Sequence, residues 1–133
     1  MTETRSTRGQ PLGPWLADLS DDRLIRLLEL RPDLAQPAPG STAALAARAA
    51  SRQSVKAAAD DLDFLRLAVL DALLVLQADH AAVPVDDLVS MLSSRVSGAD
   101  VSSAVDDLKD RALVWGDESL RVSAEAAAAL PWY

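Results

Sequence analysis

The sequence has no cysteine, a single histidine and few aromatic residues. Without cysteine the chain can form no disulfide, thiolate nucleophile or cysteine-based zinc site, which fits a cytoplasmic protein. The lone histidine, His80, would have to share any zinc ion with carboxylates only, a poor ligand set. Its place beside Asp79, at an expected helix end, is explained by favourable charge at a helix C-terminus. Aromatics are limited to Phe64, Tyr133, Trp15, Trp115 and Trp132. The core must therefore be built of Leu, Val and Ala, a composition that favours helices. Long apolar runs are also missing. Leu67 to Leu76 is interrupted by Asp71 and reaches about half of the ~20 residues of a membrane span. The Thr/Arg/Gly-rich N-terminus lacks the apolar segment of a secretory signal. No Gly-x-x-x-x-Gly-Lys-Ser/Thr phosphate loop occurs, so a nucleotide site of that type is not expected.

The charges are unevenly placed. Among the 133 residues, 1–59 hold eight basic against six acidic side chains, a net of +2, and 60–133 hold five against fourteen, a net of −9. Such asymmetry bears on partners rather than on fold.

Residues 1–13 lack periodicity and are expected to form a loose tail. A helical region is expected over 14–60. Leu24, Leu27 and Leu28 recur at helical spacing, with Ile25 and Leu30 widening the stripe. Asp21 and Asp22 suit its first turn, and Pro32 stops it near Leu30. After the Gln36–Gly40 linker, Ser41 caps a second helix, and Ser51 or Ser54 starts a third. Region 61–133 opens with a helix, Asp63 to about Ala78, that is apolar on nearly every side. Such a helix is expected to be buried by several neighbours. Then come a short extended Ala82–Pro84, a helix over 86–93, and a turn at Ser97-Gly98. A helix over 99–112 carries Val101, Ala104, Val105 and Leu108 inward. Leu113–Trp115 and Leu120–Val122 pair around a Gly116–Ser119 turn, and Ser123 caps a last helix over 124–130. The expected fold is mostly α: N-terminal helices packed on a winged helix, that is, a helix-turn-helix with a two-stranded wing, in one compact unit. Trp115 is expected to fill the core under the wing.

Three segments carry a family resemblance: Gly13 to Leu24, Leu28 to Ala35, and Thr42 to Ala49. Their most distinctive pattern is Leu-Leu-x-x-Arg-Pro-Asp-Leu over Leu27 to Leu34. Together with the segments that follow, over residues 12–133, they resemble actinobacterial helicase-associated proteins. Those proteins carry a region similar to the N-terminal domain of XPB-type DNA-repair helicases. The resemblance implies a role beside helicase or repair machinery, with an XPB-type helicase as partner. It also implies that the chain is an N-terminal fragment of a longer protein. It transfers no functional residue.

The candidate residues form two groups. Asp100, Asp106, Asp107 and Asp110 lie along the expected reader helix, and Asp117 and Glu118 at the wing tip. Phosphate would be repelled there, so an acidic winged helix is expected to dock a protein. Arg48, Arg52 and Lys56 are spaced by four. They would form one basic stripe toward DNA if their helix runs through Ser51. A homodimer built on the wing or on Trp132 and Tyr133 is the third reading. The doublets Asp21/Asp22, Asp60/Asp61, Asp86/Asp87 and Asp106/Asp107 are not acid/base dyads, because adjacent helical residues diverge. No nucleophile–base pair can be assembled, and neither enzyme activity nor a cofactor is expected.

Overall fold

A computed structural model describes residues 10–131. They are mostly helical, with a small three-stranded antiparallel sheet. Helix α1 (Leu12–Ala17) starts inside the expected tail and buries Leu12, Trp15 and Leu16. Helix α2 (Asp21–Leu30) is capped by Ser20, whose hydroxyl accepts from Arg23 N, and it ends before Pro32 as expected. Its Leu27 is buried, but Ile25 points outward and does not widen the stripe. A 3-10 turn (Pro32–Ala35) leads to α3 (Thr42–Ala49), capped by Ser41. Helix α4 (Arg52–Asp60) has its own cap, Ser51.

Helix α5 (Phe64–Val75) is capped by Asp63, which accepts from Arg66 N at 3.0 Å. The order continues with β1 (Val83–Pro84), α6 (Val85–Leu92), α7 (Gly98–Asp110), β2 (Val114–Trp115), β3 (Ser119–Val122) and the short α8 (Ala126–Ala129). Strand β3 is central. It pairs with β1 through Val83↔Leu120 and with β2 through Val114↔Val122. No helix of the described residues is long and apolar enough to cross a membrane.

Two hydrophobic clusters hold the chain together. The smaller gathers Leu12, Trp15, Leu16, Leu27, Leu34 and Leu45 around Ala112 and Trp115. Trp115 is thus buried, but against the N-terminal helices, and its indole Nε1 donates to the Gln10 carbonyl at 2.6 Å. The larger is built on α5, α7 and the sheet, and it also takes Val55, Ala58 and Ala59 from α4. Packing therefore carries α4 across the 60/61 boundary, where it lies against α8.

Helix α5 departs from its expected burial on all sides. Val69, Leu70, Ala72 and Leu73 are buried, yet Phe64 is 76% exposed and Val75 61%. The neighbouring elements α6, α7, α8 and β3 do not enclose the whole circumference of α5, so one apolar strip stays in contact with solvent.

Helices α5 and α7 both end on a left-handed residue that is not glycine: Gln77 at φ 66° and Ala112 at φ 54°. Ala78 N bonds the Leu73 carbonyl and Leu113 N bonds the Leu108 carbonyl, the six-to-one closure of a Schellman motif. Glycine is preferred there, because a Cβ in this region costs about 1–2 kcal/mol. Gln77 is exposed. Gln77→Gly is expected to stabilise the fold by about 0.5 kcal/mol, the strain relieved exceeding the entropy added to the unfolded chain. Urea unfolding of the two chains checks this.

Candidate docking surfaces

Helix α7 is positioned by its inner face. Val101, Ala104, Val105 and Leu108 are buried, and Ser97 Oγ caps its first turn by accepting from Asp100 N at 3.1 Å. The outer face carries the expected carboxylates, but they are not equivalent. Asp100 and Asp106 are exposed and make no ion pair with any described residue. Asp107 accepts from Arg66 Nε at 2.8 Å and from its Nη2, and Asp63 takes Arg66 Nη1 at 2.8 Å. The Asp107 hydrogen bond is the chief cause that raises the Arg66 pKa. Asp110 pairs with Arg23 at 3.4 Å. Asp107 and Asp110 thus tie α7 to α5 and α2, and the acidic outer face is narrower than the sequence implies. Asp117 and Glu118 are exposed on the β2–β3 turn. Together with Asp86 they border a depression of about 470 Å³.

The proposed basic stripe does not form on one helix. Ser51 ends the run by capping α4, so Arg48 belongs to α3 and Arg52 and Lys56 to α4. All three cations are engaged. Arg48 Nη1 donates to the Leu34 carbonyl at 2.9 Å and to that of Pro37, pinning the linker. Arg52 pairs with Glu125 at 3.2 Å, and Lys56 with Asp60 at 2.6 Å. The last two pairs are exposed, so their hold on the cations is weak.

Arg31, the arginine of the Arg-Pro-Asp-Leu pattern, is 1% exposed. Its Nη1 donates to the Arg111 carbonyl at 2.9 Å, and its Nη2 to the Ala49 carbonyl at 2.8 Å and to Ser54 Oγ at 2.7 Å. The Ser54 hydroxyl in turn donates to Asp33 Oδ2 at 2.5 Å. Burial pulls the Arg31 pKa down to about 10, against the opposing pull of Asp33. The guanidinium therefore stays charged at neutral pH while joining α2, α3, α4 and the end of α7.

One surface escaped the sequence reading. Between α5 and α6 lies an open apolar groove of about 420 Å³, bordered by Phe64, Ala68, Ala72, Val75, Met91 and Leu92, with Asp71 alone carrying charge. Phe64, Ala68, Asp71 and Val75 follow i, i+4, i+7 and i+11, one face of a helix. That spacing is legible in the sequence, but the apolar residues on the other faces of α5 lead to an expectation of burial on nearly every side.

His80 lies on the surface, with Nε2 3.5 Å from Asp79 Oδ2. Among the described residues no three His, Cys, Asp or Glu side chains gather as a metal site would require. Trp132 and Tyr133, and most of the expected tail, lie outside the described residues. No protein-family model, no curated protein and no solved structure matches this chain.

Proposed function

We propose that this chain is a non-catalytic protein-docking module of the cytoplasm, working beside DNA helicase or repair proteins. In this reading residues 61–133 form a winged helix whose acidic face meets a basic partner. The order α5–β1–α6–α7–β2–β3, with β3 between β1 and β2, supports the winged-helix assignment. The helicase setting rests on the sequence resemblance alone. The observation that carries the docking reading is the exposure of Asp100, Asp106, Asp117 and Glu118 where a DNA reader and its wing would need cations.

Capture of an XPB-type helicase by the immobilised chain is the expected result. Asp106→Lys combined with Asp117→Lys should abolish it, since both carboxylates are exposed and neither holds the fold. Capture that survives both reversals removes the acidic face from the interaction. Fluorescence anisotropy with duplex DNA supplies the opposite check. Salt-sensitive binding lost in Arg52→Glu would favour the DNA reading instead.

A further inference from the structure

We draw no further inference here: the strongest candidate, the open apolar groove between α5 and α6, is an exposed helix face, and nothing in the structure shows what covers it.

Discussion

Replacing Arg31 by methionine will lower the stability of the fold by about 3–5 kcal/mol, the loss expected when one partner of a buried charged network is removed. Methionine fills similar space but donates nothing. The Ala49 and Arg111 carbonyls and the Ser54 hydroxyl would stay buried without the donors they now have. Each such orphaned group costs about 1–3 kcal/mol. Main-chain carbonyls cannot be mutated away, so no compensating substitution restores the balance. Arg31→Lys should recover only part of the loss, because one ammonium cannot reproduce the planar fork that reaches three acceptors. Denaturant unfolding at neutral pH gives the measurement. A loss below about 1 kcal/mol for Arg31→Met would mean that water replaces the guanidinium. The sign of the pH effect is also fixed. The folded pKa lies below the ordinary arginine value, so the unfolded chain holds this proton more tightly. Arg31 should contribute no pH dependence near neutrality, and its contribution to stability should rise as pH climbs above about 10.

A buried arginine without a carboxylate in direct contact needs an electrostatic reason. Ala49 is the last residue of α3, and Arg111 directly follows α7. Each helix C-terminus carries the equivalent of roughly half a negative charge. Two such ends facing one guanidinium supply about a full unit, and Asp33 adds to it through Ser54.

The second large effect is expected at Gly116. It turns the chain from β2 toward β3 at φ 111°, a conformation that residues with a Cβ rarely adopt. A Cβ there would stand 3.2 Å from the Ser119 carbonyl carbon and would overlap the oxygen attached to it. The obstruction is backbone, so no side-chain rotation relieves it. Gly116→Ala should cost about 3 kcal/mol, which lowers the thermal midpoint by about 10 °C in a chain of this size. Asp117→Ala, one residue on and exposed, should stay within about 0.5 kcal/mol of the parent. An equal effect of the two substitutions would show that the turn tolerates rearrangement.

Local chemistry made much of the fold legible. Ser20, Ser41, Ser51, Asp63 and Ser97 all accept the capping hydrogen bond from the third residue beyond them. Pro32 and the Gly116 turn punctuate the chain where their backbone limits require. Long-range features were less visible. The three groups that accept from Arg31 lie 18, 23 and 80 residues away in sequence, so nothing local marked it for burial. The acidic face was read from residue type, and type alone does not separate Asp106 from Asp107, which Arg66 claims. The basic stripe depended on a helix crossing Ser51, and the same hydroxyl that caps α4 is what interrupts it. Burial of α5 was inferred from its apolar surface, but the number of neighbouring elements, not the sequence of one helix, decides how much of that surface is covered.

Helix α4 and the β2 end bind the two halves in opposite senses. Val55, Ala58 and Ala59 come from the first half and fill the core of the second, while Ala112 and Trp115 come from the second and fill the core of the first. This reciprocal exchange makes the fold indivisible. A cut at any point between α4 and β2 separates apolar side chains of each half from the core they fill, so the chain is expected to melt in a single transition.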